Sequence, residues 1–296
     1  QSAFACQPTI RPHRMAIGFY ELVGGKVTRT SQIELDVDGE RTHVSQLVGL
    51  KQPDLILLND GDLAYAKIRL DVKSWSTALE NLGAIEDPLA RTIVWGAALD
   101  ASRDAEADPA DFIRLVLTHI ATETESTTMM TLLRQLVTTG NLYVTAADRQ
   151  PALSQIADGL LRLARNAEAG SDAQLQFTKF FALFARSSQQ IEALKAILSG
   201  EEQLAGLTID ADLKWELLTG LVIEAQQGNH AWRQRVPLQL QKAATDVHPS
   251  LSGTQVKGMV AQCAGQGGQP FGFAGAHVAL KTLGVVGLHR AVTSVR

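Results

Sequence analysis

The sequence predicts a mainly α protein, an irregular α-solenoid of stacked helical hairpins preceded by a small antiparallel β-sandwich portion. Three observations carry that prediction. Apolar and polar residues alternate along residues 11–70, and the period turns helical after Asp71. From there, N-cap residues, prolines and glycines punctuate the chain at helix-length intervals.

The strands come first. Met15-Ala16-Ile17-Gly18-Phe19-Tyr20 alternates, Gly24-Gly25 makes a turn, and Ile33, Leu35 and Val37 share one face of residues 27–37. Asp38-Gly39 is a dipeptide that two-residue hairpins favour, so the start reads as an antiparallel meander. Residues 42–48, 55–58 and 64–70 continue as strands, divided by Pro53 and by the turn-forming Asn59-Asp60-Gly61-Asp62. Five short strands do not close a sandwich, which places further strands upstream.

The helices follow in order. Asp87-Pro88 and Asp108-Pro109 each pair an N-cap residue with proline at the first helical position, opening helices to about Ala105 and about Thr124. Ser126 or Thr127 starts a third to about Thr139, and Pro151 a fourth to Ala169. Ser171 with Gln174 and Ser187 with Gln190 have capping-box spacing and open a fifth and a sixth, to Arg186 and Leu198. Asp210 opens a seventh to about Gln227, and Gly170 and Gly200 stand where C-terminal caps belong. Trp75, Trp95, Trp215, Phe177, Phe180, Phe181 and Phe184 lie at helical spacings that suit packing between hairpins. No fixed sequence period recurs, so the solenoid is irregular.

Composition narrows the class. An apolar share of 45% and a charged share of 20% fit a globular protein rather than a disordered one. Residues 275–288, the longest weakly polar stretch, are broken by His277 and Lys281 and fall short of the roughly 20 apolar residues a membrane span needs. Residues 1–14 lack the pattern of a secretory leader, and a start at Gln1 reads as an excerpt of a longer chain. Cys6 and Cys263 form neither a disulfide framework nor a zinc-type pair, which predicts a cytoplasmic setting. The net charge of −4 hides an asymmetry: up to Glu224 there are 20 basic and 30 acidic residues, and beyond it 7 and 1. After Asp246 no acidic residue occurs and glycines recur, as in Gly265-Gln266-Gly267-Gly268. With only Lys257, Lys281, Arg290 and Arg296 as cations there and no aromatic interleaving, nucleic acid is not expected as a partner.

Catalytic and metal motifs are not found. The helical zinc signature H-E-x-x-H is missing. His119 and Glu123 are one turn apart and could offer two ligands, but no further His or Cys stands near them, and a polar pair on a helix is the better account. Glu123 and Glu125 are two apart and point to different faces of a helix, which prevents convergence on one bond. Gly253 to Gly258 has phosphate-loop spacing with Met259 where Lys must stand, and the Gly265 run lacks the third glycine of a dinucleotide fingerprint. The expectation is no catalytic residue, no metal ligand and no cofactor in this chain.

Several stretches resemble the region that follows the catalytic domain in the aminopeptidase N family of actinobacteria. They are Arg11-Pro12-His13-Arg14-Met15-Ala16-Ile17-Gly18, Pro53-Asp54-Leu55-Ile56-Leu57-Leu58-Asn59-Asp60, Tyr65-Ala66-Lys67-Ile68-Arg69-Leu70-Asp71, Leu89-Ala90-Arg91 with Trp95-Gly96-Ala97-Ala98, and Arg103-Asp104-Ala105-Glu106. Gly170-Ser171-Asp172-Ala173-Gln174-Leu175 and Asp210-Ala211-Asp212-Leu213-Lys214-Trp215-Glu216-Leu217-Leu218 extend the series, which ends near Gln226. The resemblance implies a partial β-sandwich linker domain over residues 1–72, a helical C-terminal domain over 73–228, and an atypical tail over 229–296, either a frameshift or a divergent natural ending. It also implies a non-catalytic module that encloses the chamber of a zinc aminopeptidase, with zinc held by the upstream catalytic domain. The partners would be that domain and peptide substrates, with substrate-contacting residues unassigned. A rival reading is an independent α-solenoid adaptor that binds a protein along its concave face.

Overall fold

The computed structural model describes residues 11–227. The sequence readings on Cys6, Cys263, the glycine patterns of 253–268, the stretch 275–288 and the atypical tail lie outside the described residues. The chain divides into two compact units, one ending at Ala152 and the other beginning at Leu153.

The first unit opens with a three-stranded antiparallel sheet in the order β2-β1-β3. β1 (His13–Val23) and β2 (Lys26–Val37) form a hairpin through Gly24 and Gly25, and β3 (Leu55–Leu58) pairs with the other side of β1. The expected meander is therefore not formed, because β3 returns to the first strand rather than the second. Residues 42–48 make no strand but a single 3-10 turn at Ser45–Leu47. Both sides of β1 are already taken, so this stretch finds no ladder there to join. Residues 64–70 make no strand either. Their inward residues, Ala64 and Ile68, are four apart, and the backbone N–H and C=O of Ala64 are held by the Asn59 side chain at 2.8 and 2.7 Å.

Four helices follow in this unit. α1 (Val72–Asn81) is capped by the Asp71 carboxylate, which accepts from the Lys73 and Ser74 N–H groups. It covers β3: the Ile56 N–H donates to Ser74 Oγ at 2.8 Å, and Thr77 Oγ1 donates to the Asp54 carbonyl at 2.7 Å. These contacts satisfy edge groups that would otherwise be open. α2 (Pro88–Arg103) and α3 (Pro109–His119) start at the Asp-Pro pairs as expected, with Asp87 and Asp108 accepting from the Leu89 and Ala110 N–H groups. α3 stops at His119, earlier than expected, and gives way to a 3-10 turn at Ile120–Thr122. α4 (Ser126–Thr138) has Glu125 rather than Ser126 at its N-cap, and passes into a π-helical turn at Thr139–Tyr143.

The division falls in the first turn of α5 (Arg149–Asn166). The second unit continues with α6 (Asp172–Phe184), α7 (Ser188–Ser199) and α8 (Ala211–Gln227). Ser171 and Ser187 cap α6 and α7, and Gly200 ends α7 in a left-handed conformation with φ 82°. α6 and α8 approach so closely that a Cβ on Gly220 would meet the Ala182 carbonyl oxygen at 2.2 Å. Phe177, Phe180, Phe181, Phe184 and Trp95 are buried as expected, whereas Trp75 and Trp215 are only half-buried. Among the described residues no helix is long and apolar enough to cross a membrane.

Candidate functional site

The one pair that spacing offered as metal ligands is not built as a site. His119 is the last residue of α3, and Glu123 follows the 3-10 turn in extended backbone, so the two do not share one helical turn. The His119 Nδ1 accepts from the Gly83 N–H at 3.2 Å, and Nε2 faces the Leu79 carbonyl at 3.0 Å. This pairing fits the neutral ring with its proton on Nε2 and leaves neither nitrogen free. Burial lowers its pKa, an effect opposed by the Leu79 hydrogen bond.

Glu123 serves a different network. Its Oε1 accepts from Arg91 Nε at 3.1 Å and from Trp95 Nε1 at 2.9 Å, both on α2. The Arg91 guanidinium also donates to the Ile85 carbonyl at 2.7 Å. This buried ion pair joins the entry of α2 to the exit of α3, and its hydrogen bonds offset part of the cost of desolvating both charges. Glu125 is the exposed N-cap residue of α4, so it neither lies on a helix with Glu123 nor pairs with it.

A second buried carboxylate was read from sequence only as part of a turn. Asp60 is 1% exposed and accepts from Tyr20 Oη at 2.7 Å, Arg29 Nη1 at 2.9 Å and Gln32 Nε2 at 3.0 Å. Gly18 makes room for it, since a Cβ there would stand 2.3 Å from Asp60 Oδ2. Burial, then the bond to Asp60, raises the Tyr20 pKa and keeps the phenol protonated as the donor. Its partners are 28 to 40 residues away, so no local motif announces the cluster.

These acidic and basic groups are engaged by protein partners, so each cluster braces the elements that contribute to it. Among the described residues no group of three or more His, Cys, Asp or Glu side chains is placed to hold a metal ion. The described residues therefore do not fit a zinc centre, and no chemical step is derived through one.

A mainly helical module with a small sheet at its start and braced polar clusters is the class these features define. The sequence model of the ERAP1-like C-terminal domain family matches residues 55–246, and the chain belongs to that family. The chain is also similar to the Aminopeptidase N of Streptomyces lividans, with 41% identity over 223 residues, covering 75% of this chain and 26% of the relative. It thus spans about a quarter of the length of that curated relative and corresponds to a C-terminal region of an aminopeptidase N. The family match runs to the last acidic residue, Asp246, beyond the Gln226 at which the resemblance was expected to end.

Proposed function

We propose that this chain is the non-catalytic C-terminal module of a cytoplasmic zinc aminopeptidase and encloses the chamber in which N-terminal residues are removed from peptides. The family match over residues 55–246 carries the reading. In it, the metal and the general base belong to an upstream catalytic domain of the same polypeptide, which is this module's partner, and peptides are the substrate. The helices from α1 onward act as stacked hairpins of an irregular solenoid. The domain limits in this reading are those read from sequence, 1–72, 73–228 and 229–296.

The sheet supports a sandwich half. Strand register puts Met15, Ile17 and Phe19 of β1, Ile33, Leu35 and Val37 of β2, and Ile56 and Leu58 of β3 on one face. All eight are apolar, yet only Ile17 and Phe19 are buried. A second sheet packed about 10 Å away would bury the rest.

The test uses the purified chain. It should leave an aminoacyl anilide intact with or without added zinc and carry no stoichiometric metal. Turnover that survives repurification and stops with a chelator contradicts the reading.

A further inference from the structure

We propose that Leu63 and Tyr65 form a preset anchor that docks into the remainder of the aminopeptidase polypeptide, in an apolar slot ending in a hydrogen-bond acceptor. This inference rests on the module reading above. The loop that presents the two side chains has an unusual backbone, with Asn59, Gly61 and Asp62 all left-handed at φ 57°, 88° and 55°. Asn and Asp take that conformation more readily than other side chains, and three such positions within four residues define a tight turn. Here a clasp enforces it. The buried Asn59 amide accepts from the Ala64 N–H at 2.8 Å and donates to the Ala64 carbonyl at 2.7 Å and to Asp62 Oδ1 at 3.2 Å. On the far side Ile68 is buried, and Lys67 and Arg69 reach Asp104 at 2.8 and 2.6 Å.

Between these fixed points the side chains turn outward. Tyr65 is 104% exposed and Leu63 54% exposed, so Tyr65 adds no packing to the chain that holds it and Leu63 leaves about half of its surface open. Tyrosine is among the residue types that dominate interface energetics, and a backbone already held in place has little freedom left to lose on docking.

The size of the patch identifies the occupant. One tyrosine buries about 150–250 Å², so two side chains stay far below the roughly 1,200 Å² that a stable complex of separate proteins needs. That argues against a second copy or a free partner. A partner in the same polypeptide needs no such area, since the linkage supplies the effective concentration. The Streptomyces relative has nearly three quarters of its length outside the matched region to provide it.

The experiment compares Tyr65→Ser in two settings. One is the full chain alone; the other is the same chain carried by the Streptomyces lividans aminopeptidase N in place of its matching segment. In the graft, Tyr65→Ser should lower the melting temperature by at least about 3 °C, while the isolated chain shifts by less than about 1 °C. Tyr65→Phe should recover only part of the loss, because the acceptor at the end of the slot is left without its donor, and Leu63→Ser should reproduce part of it. Amide exchange over residues 59–68 should be at least about tenfold slower in the graft than in the isolated chain. Equal effects of Tyr65→Ser in both settings, or none in either, overturn the anchor. A peptidase-active graft indifferent to Tyr65→Ser overturns the anchor alone, whereas an inactive graft overturns the module reading and the anchor with it.

Discussion

The two compact units bury polar groups of different kinds. Among the described residues, the first unit buries the ionisable side chains Asp60, Arg91, His119 and Glu123 beside the neutral Asn59, Ser74, Ser102 and Thr139, whereas the polar side chains buried in the second, Gln174, Thr178, Gln190 and Thr219, are all neutral. A buried charge needs a nearly complete set of partners, and losing one strands the other. A buried amide tolerates loss better, because its own desolvation costs less. In the second unit the device is repeated. Gln174 accepts from the Gly170 N–H at 2.8 Å and donates to the Ala164 carbonyl on α5 at 3.3 Å. Gln190 accepts from the Arg186 and Ser187 N–H groups at 3.0 Å and donates to Ser154 and Asp158 on α5. Gln190 thus closes the capping box of α7, Gln174 holds the residue before the N-cap of α6, and each ties its helix to α5.

The contrast is broken most sharply at Glu123. Glu123→Ala leaves the Arg91 guanidinium buried without its carboxylate and should destabilise the first unit by about 3–5 kcal/mol, measured by denaturant unfolding. Gln190→Ala should cost the second unit less, about 1–2 kcal/mol. If the glutamine variant proves the more damaging, the distinction between charged and neutral braces fails.

Acid should separate the units next. His119 has its pKa lowered by burial, so the unfolded chain binds the proton more tightly than the folded one. The stability gained from the neutral ring is present above its ordinary value of 6.5 and is lost as pH falls through the lower folded value. Amide exchange followed from about pH 7.5 to about pH 5.5, corrected for intrinsic rates, should show α3 loosening while α6 and α7 keep their protection. His119→Gln should flatten that response.

The smallest effect belongs to the surface. Arg69→Ala removes the pairs with Asp104 and Glu106 on partly exposed groups, and should change stability by no more than about 1 kcal/mol. A larger loss would show that the strap over residues 64–70 depends on those pairs rather than on Asn59.

What the sequence revealed follows the range of each interaction. Asp87, Asp108, Ser171 and Ser187 cap groups two or three residues away, so their helices were legible to within a turn at their starts. α1 also has such a cap, Asp71, but no proline or capping-box partner marks it. Residues 42–48 and 64–70 have strand-like patterns, yet a strand forms only where a partner is free, and pattern alone does not supply one. His119 and Glu123, read as a polar pair on one helix, belong instead to two separate networks. What each does is set by Leu79, Gly83, Arg91 and Trp95, 28 to 40 residues away, beyond any local signal. The same distance hides the Asp60 cluster.

The central claim is that this chain works as one part of a zinc aminopeptidase, and the DNA upstream of the Gln1 codon tests it most directly. The account predicts an open reading frame continuous with Gln1 that encodes H-E-x-x-H on a helix-forming segment. A frame that closes upstream without that motif would contradict it and leave the independent adaptor as the better reading.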